Sequence, residues 1–250
     1  MLILFSMIVM RMSGMFLLNP VFGGSNIPSR VKAQLVMAFS VMLYIWSGGE
    51  LSHEPGTLLE YGVMLLSELA MGAVLGFAME LAVFTVRFAA AVMDFTMGFN
   101  MAQVYDPESR GQVTVTSGLQ YAFFMLLFLA IDGHLRLVSI FFGSAAVVPF
   151  GEVSFGPAVY MAVVDIFCEA VLMGFQMALP IVAMELVTEA AVGIMMRMIP
   201  QINVFSVNFQ IKIMVGMLML LFLFSPLSAK ISAVIEEMFA NLNHLIALMH

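Results

Sequence analysis

Long apolar segments separated by short polar breaks dominate this chain. Ala, Leu, Met and Phe fill the segments, and apolar stretches of this length and composition favour helices over strands. We therefore predict an all-α fold of membrane-associated helical hairpins with long, kinked helices. The apolar segments lie at about residues 1–19, 33–47, 57–99, 112–131, 135–149, 157–199 and 204–248.

The breaks between these segments carry Gly, Pro, Asn and Asp, which favour turns. The Asp132-Gly133-His134 sequence is interpreted as an exposed connector between two helices rather than as a catalytic group. The breaks lie at Asn19-Pro20, residues 23–28, Ser47-Gly48-Gly49, Asp106-Pro107, Asp132-Gly133-His134, Pro149 to Pro157, and Pro200.

Most of the segments are poor membrane spans, because a spanning helix needs about 20 mostly apolar residues with few charges. Only residues 111–131 meet this condition cleanly. The segments 57–99 and 157–199 carry several charges, and a helix of about 40 residues is about 60 Å long, twice the hydrocarbon core. Each therefore either folds back as a kinked hairpin or extends beyond the bilayer in a larger assembly, and we expect a mixture of the two. Pro180 predicts a kink in the second segment.

Composition indicates an integral membrane protein. Of the 250 residues, 62% are hydrophobic and only 10% are charged, against about 25% charged in soluble domains. The net charge of −7 disfavours nucleic acid as a partner. The single cysteine, Cys168, excludes a disulfide framework, and the sequence contains no phosphate-binding loop, HExxH or GxSxG motif. We therefore expect no enzyme activity, no metal and no cofactor.

Charged residues inside the apolar segments follow the helical period. Glu80, Arg87 and Asp94 are seven residues apart, so each lies only about 20° around a helix from the last. A charged stripe in hydrocarbon has to face protein or water. We interpret it as the lining of a path or of a subunit interface; the alternative is a set of helix ends exposed in the headgroup region.

Two pairs of carboxylates occupy (i, i+4) positions, Asp165 with Glu169 and Glu185 with Glu189. Carboxylates at this spacing are neighbours on a helix surface and repel. One member of each pair is therefore expected to be protonated, or a partner chain is expected to supply a cation.

Residues 197–205 form a polar break between two apolar helices. Arg197, Pro200, Gln201 and Asn203 interrupt the apolar pattern, and Lys212 follows in the next helix. Lipid offers no hydrogen-bond partners to a broken backbone, so this turn is expected to be buried in protein or to touch a water-filled path.

Two compositional features predict dense packing. Gly72 and Gly76 form a GxxxG pattern, which permits close approach of a second helix. The chain also has 26 methionines, which are flexible enough either to fill an irregular core or to seal around a passing polypeptide.

Taken in order, these motifs resemble the FliR/SctT family, the flagellar and type III secretion export-gate proteins. The resemblance covers nearly the whole chain, and Asn208 and Gln210 depart from it where the family often has Gly and Pro. Residues 158–250 also resemble FliQ, a two-helix partner in the same gate. The matching stretches are Arg11, Pro20-Val21-Phe22, residues 27–32, residues 72–77, Arg87, Met97-Gly98-Phe99, Tyr105-Asp106-Pro107, residues 127–129, residues 132–134, Pro149 and residues 197–212.

The resemblance implies a passive conduit in the bacterial inner membrane, at the flagellar basal body and raised toward the periplasm. Several FliP-like and FliQ-like chains would assemble with one chain of this kind around a channel for unfolded export substrates, with FlhA-like and FlhB-like components nearby. Residues 1–157 would take a FliP-like role and residues 158–250 a FliQ-like one. The residues of these motifs favour a flagellar system over an injectisome.

The resemblance also implies that a loop of this chain plugs the closed channel. Its position places the plug at about residues 100–118, and Gln201 and Asn203 would lie nearer the cytoplasmic entrance. Phe99, Met101 and Tyr105 are expected to form the seal. The implied plug residues are Phe99, Asn100, Met101, Tyr105, Asp106, Pro107 and Arg110.

The main alternative is a secondary transporter or ion channel that acts alone. Carboxylates within apolar helices resemble coupling sites, but no inverted repeat is visible and the Pro200 break has no counterpart in the first half. An intramembrane enzyme is a third reading, which the missing nucleophile and metal motifs disfavour.

Overall fold

The computed structural model describes residues 2–23, 27–47, 55–99, 103–106, 111–198 and 204–250, and all structural statements concern these residues. They contain eight helices and two strands. In chain order the elements are α1 (Leu2–Leu17), α2 (Ser29–Trp46), α3 (Leu58–Met97), β1 (Gln103–Asp106), β2 (Gly111–Thr114), α4 (Val115–Ala130), α5 (Gly133–Val147), α6 (Pro157–Met198), α7 (Val204–Phe222) and α8 (Phe224–Leu248).

The predicted all-α architecture is confirmed, with one short addition. Strands β1 and β2 form an antiparallel hairpin in which Gln103 is opposite Thr114 and Asp106 is opposite Gly111. Each strand has four residues, which is too short for an alternating pattern to stand out in the sequence. The hairpin also occupies residues 111–114, so the clean membrane span expected at 111–131 is wrong: α4 has only 16 residues.

The two longest helices are continuous, with 40 residues in α3 and 42 in α6. The expectation that these segments fold back as hairpins is wrong, and their extension beyond the bilayer in a larger assembly stays a prediction. Charged side chains leave the backbone hydrogen bonds of a helix intact, so they do not end it. Pro180 lies inside α6, where it removes a single backbone donor.

The apolar segment 204–248 is divided into α7 and α8, which are bent by 65° at Leu223. Pro226 lies in the first turn of α8, a position where proline costs little because its missing N–H would have no helical partner. Pro226 is therefore a helix-break signal that is easily overlooked beside the long apolar run before it.

Helices α3 and α6 are each long and apolar enough to cross a membrane. Two pairs of consecutive helices, α4 with α5 and α7 with α8, would raise the number of spans to four if each bent pair forms one span. The Asp132 connector between α4 and α5 is exposed and has a left-handed backbone (φ 56°), which confirms its interpretation as a turn.

The chain divides into two compact units. Unit 1 comprises Met1–Val83, Phe128–Cys168 and Ile235–His250, and unit 2 comprises Phe84–Leu127 and Glu169–Val234. Both units therefore draw on both sides of residue 157. The division into a FliP-like part and a FliQ-like part concerns equivalence to other chains and stays a prediction.

Unit 1 is built on a close contact between α1 and α3. A Cβ atom on Gly72 would lie 2.7 Å from the backbone nitrogen of Met15, and one on Gly14 would lie 2.7 Å from that of Ala73. Any larger side chain would push the helices apart, so the close helix approach predicted at Gly72 is confirmed.

Unit 2 brings α3, α6 and α7 together through two further glycines. A Cβ atom on Gly174 of α6 would lie 2.9 Å from the carbonyl oxygen of Thr85, and one on Gly216 of α7 would lie 2.5 Å from Cγ of Met97. Helix α3 ends at Met97 and is followed by Gly98, whose φ of +83° is a left-handed conformation that glycine adopts without strain.

Candidate functional site

The described part of the segment assigned to the plug forms the paired strands β1 and β2 and the first turn of α4. Val104 is opposite Val113 and Tyr105 is opposite Gln112. Residues 103–106 and 111–114 are therefore antiparallel strands, where a loop was expected. Phe99 is half-buried at the end of α3, whereas Asn100, Met101, Pro107 and Arg110 lie outside the described residues.

Asp94 lies at the base of this hairpin. Its side chain is fully buried on α3 and faces the hydroxyls of Thr114 and Thr116 and the backbone N–H of Ser117. Neither carboxylate oxygen makes a hydrogen bond within 3.5 Å among the described residues. The carboxylate thus stands close to the N-terminal turn of α4, where the exposed N–H groups and the helix dipole favour a negative charge.

The other two members of the charged stripe lie on the same continuous helix. The Arg87 guanidinium lies over the ring of Tyr121, 4.2 Å from its centroid, and Glu80 is half-buried. An aromatic ring is a favourable neighbour for a guanidinium in a dry environment. Whether this face of α3 lines a path stays a prediction.

Asp165 and Glu169 are both exposed on α6. Neither makes a hydrogen bond or an ion pair with any other described residue. They stand among large exposed apolar side chains, including Met161 and Phe167, which are 68% and 46% exposed. Two carboxylates in such a setting require partners from outside this chain or a position in the headgroup region.

Glu185 and Glu189 have different surroundings, although they are one turn apart. Glu189 accepts a hydrogen bond from Nζ of Lys212 on α7. Glu185 is only 2% exposed, and neither of its carboxylate oxygens has a hydrogen-bond partner in the part of the chain that the structure describes. The structure therefore supplies one ammonium for two carboxylates, where the sequence predicts repulsion relieved by a proton or a cation.

The polar helix break coincides with the end of α6 at Met198 and the start of α7 at Val204. Arg197 is exposed in the last turn of α6, and Lys212 lies on α7. Pro200, Gln201 and Asn203 lie outside the described residues.

The largest polar cluster, which sequence reasoning missed, joins Arg11 to Glu68 in unit 1. Nη1 of Arg11 also donates to the carbonyl oxygens of Val148 and Ser144, at 2.9 Å and 3.3 Å, and the guanidinium lies 4.3 Å from the ring centroid of Phe150. The only signal in the sequence is that Arg11 is the single charge in its apolar segment, and that Glu68, among the several charges of segment 57–99, has the opposite sign.

Comparisons with known proteins give a consistent result. The family model described as bacterial export proteins, family 1, matches residues 2–238. Three relatives are each named flagellar biosynthetic protein FliR. The one from Bacillus subtilis (strain 168) is 28% identical over 98% of this chain and 95% of its own length. The one from Escherichia coli (strain K12) is 26% identical over 96% and 89%, and the one from Pectobacterium carotovorum is 28% identical over 91% and 85%.

Proposed function

This chain belongs to the bacterial export proteins, family 1, and we propose that it forms, with FliP-like and FliQ-like chains, the channel that passes unfolded flagellar substrates across the inner membrane. As a member of that family whose curated relatives are named for flagellar biosynthesis, it is a component of the flagellar export apparatus. The family match over residues 2–238 is the observation that carries the proposal.

The surface of α6 supports a partner-dependent role. Only 28% of its most apolar stretch is buried within the chain, against 61% for α3. Lipid would satisfy the apolar side chains of this surface but not Asp165 and Glu169, which have no partner among the described residues. Neighbouring FliP-like or FliQ-like chains would cover the apolar area and supply the missing cations.

The β1–β2 hairpin is the segment of this chain that we assign to the plug, at about residues 100–118. Its support is its place between α3 and α4 and the buried Asp94 carboxylate that faces its returning strand. The polar turn at residues 197–203 is assigned to the cytoplasmic side of the same channel, and FlhA-like and FlhB-like components are its expected neighbours there.

Purification from the native membrane tests the proposal. The chain, carrying an affinity tag and produced at its natural level, is extracted in mild detergent and the intact complex is weighed by mass spectrometry. We expect masses that contain one copy of this chain and several copies of FliP-like and FliQ-like chains. Deleting the gene is expected to abolish flagellar filaments. Two results together would refute the proposal: the chain purifies as a folded monomer without companions, and cells that lack its gene still assemble filaments.

A secondary transporter or ion channel that acts alone is the second candidate, and the unpartnered Glu185 favours it, because transporters keep such carboxylates for coupling ions. Reconstitution of the purified single chain in vesicles separates the two. Ion or solute flux through the single chain would support this candidate, whereas an inert chain would support the export channel.

A further inference from the structure

A cavity of about 220 Å³ in unit 2 holds more negative than positive charge. It is enclosed by α3, α6 and α7, and its polar lining consists of Thr96, Glu185, Glu189 and Lys212, beside three apolar side chains. Glu189 is 49% exposed at the mouth of the cavity, whereas Glu185 is 2% exposed. The cavity therefore connects the surface with a deeply buried carboxylate.

The Glu185 carboxylate shares its nearby cation with Glu189. The Lys212 ammonium is engaged by Oε1 of Glu189, and neither oxygen of Glu185 has a hydrogen bond to a described residue. A buried carboxylate without a partner is strongly destabilising. Two carboxylates and one ammonium leave one negative charge in the cavity, which either a proton on Glu185 or a bound cation would neutralise.

The atoms of the cavity that could coordinate a cation are oxygen atoms. The Thr96 hydroxyl donates to the carbonyl oxygens of Met93 and Val92, at 2.8 Å and 3.3 Å, which leaves lone pairs of Oγ1 available to a ligand. On α7, Gly216 provides the space in front of Glu185, because a Cβ atom there would lie 3.2 Å from Oε1 of Glu185. Carboxylate and hydroxyl oxygens are the ligands that hard cations prefer.

We propose that this cavity binds a monovalent inorganic cation of the size of Na⁺ or K⁺, with Glu185 as its principal ligand. One monovalent charge brings the cavity to neutrality, whereas a divalent ion would leave it positive. The proposal does not rest on the export function, since it concerns one cavity within unit 2.

Cation-dependent thermal unfolding tests the site. The full chain is purified in detergent with the proteins that accompany it. The midpoint temperature of its thermal unfolding is then measured in chloride salts of Na⁺, K⁺ and choline at constant ionic strength. Choline carries the same charge but is too bulky to be coordinated by these oxygens. We expect saturable stabilisation by Na⁺ or K⁺ of about 5 °C relative to choline.

Matched variants locate the effect. In Glu185→Gln, the thermal midpoint is expected to be the same in alkali cations and in choline. In Thr96→Val, a higher cation concentration is expected to be needed for the same stabilisation. Glu152→Gln changes an exposed carboxylate between α5 and α6 and is expected to keep the wild-type response.

Three outcomes would overturn the proposal. One is a wild-type midpoint that is the same in Na⁺, K⁺ and choline. Another is a midpoint that follows pH and not the cation, because Glu185 then takes up a proton alone. The last is an alkali-cation response that persists in Glu185→Gln. The wild-type salt series stands without any variant, so a variant that fails to fold leaves the test intact.

Discussion

Arg11 and Glu68, 57 residues apart in the chain, form a two-bond ion pair with both side chains fully buried. Nε of Arg11 lies 2.5 Å from Oε2 of Glu68 and Nη2 lies 3.1 Å from Oε1. Oε1 also accepts the backbone N–H of Gly151 at 2.8 Å. The pair thus links α1 and α3 to the end of α5 and the residues after it. Backbone groups there accept hydrogen bonds from Arg11 and donate one to Glu68.

Removing one partner of this pair is expected to destabilise unit 1. Arg11→Met leaves the Glu68 carboxylate buried without its cation, which costs about 3–5 kcal/mol. The matched control is Arg136→Met, whose partner Glu236 and own side chain are 58% and 48% exposed, and exposed pairs contribute about 0–1 kcal/mol. Thermal unfolding of the purified proteins measures both. Equal losses in the two variants would contradict a special role for the buried pair.

Replacing both partners is expected to recover part of the loss. The double variant Arg11→Met with Glu68→Met removes both charges together, and apolar replacement of a buried pair is often neutral or stabilising. The double variant should therefore unfold at a higher temperature than Arg11→Met alone. An additive loss would show that the backbone contacts of Arg11, rather than the ion pair, carry the stability.

The close contact between α1 and α3 predicts a penalty for a single methyl group. Gly72→Ala places its Cβ against the backbone of α1, and such overpacking costs about 1–3 kcal/mol. Gly62→Ala is the control on the same helix, because no atom lies within 4 Å of its added Cβ, and alanine favours a helix over glycine by about 1 kcal/mol. We expect the thermal midpoint to fall for Gly72→Ala and to stay or rise for Gly62→Ala. The reverse order would refute this packing.

Asp94 is expected to hold the first turn of α4. Asp94→Ala removes the carboxyl group that faces the N-terminal turn of α4, and a favourable group at a helix N-terminus contributes about 0.3–2 kcal/mol. Amide hydrogen exchange in residues 114–118 should accelerate accordingly, while exchange in α1 stays unchanged. Asp165→Ala, an exposed carboxylate on α6, serves as the control. Unchanged hydrogen exchange at residues 114–118 in Asp94→Ala would contradict this role of Asp94.

Deleting residues 106–116 tests the plug assignment. If the hairpin closes the channel, cells that carry the deletion should leak ions or small solutes across the inner membrane, which a membrane-potential dye reports. The same deletion in cells that lack the FliP-like partner should not leak, because no channel then assembles. A tight membrane in the presence of all partners would remove the plug from the proposal.

The helices were predictable because each depends on a short stretch of sequence. The apolar segment at 33–47 corresponds to α2 and the one at 157–199 to α6, and the breaks at Asp132 and Pro149 separate real elements. The division of 204–248 was missed because the apolar run of residues 217–224 continues across Leu223, and Pro226 follows only after the bend.

The candidate site was predictable only in part. The stripe spacing placed Asp94 on one face of α3 with Arg87, but the sequence did not indicate that Asp94 faces the start of α4. The pairs Asp165/Glu169 and Glu185/Glu189 have the same spacing, yet only the second has a cation within reach. The polar turn at Pro200 lies outside the described residues and remains a prediction.

The sequence by itself determined the membrane class, the helices and the family resemblance, because hydrophobicity, helical period and motif order are properties of neighbouring residues. Only the tertiary structure decided which charge meets which. It brought Arg11 to Glu68 and Lys212 to Glu189, and it left Glu185 facing a cavity. The reason is physical: a buried charge is stabilised by groups within a few ångströms, and in a folded chain those groups come from helices far apart in sequence.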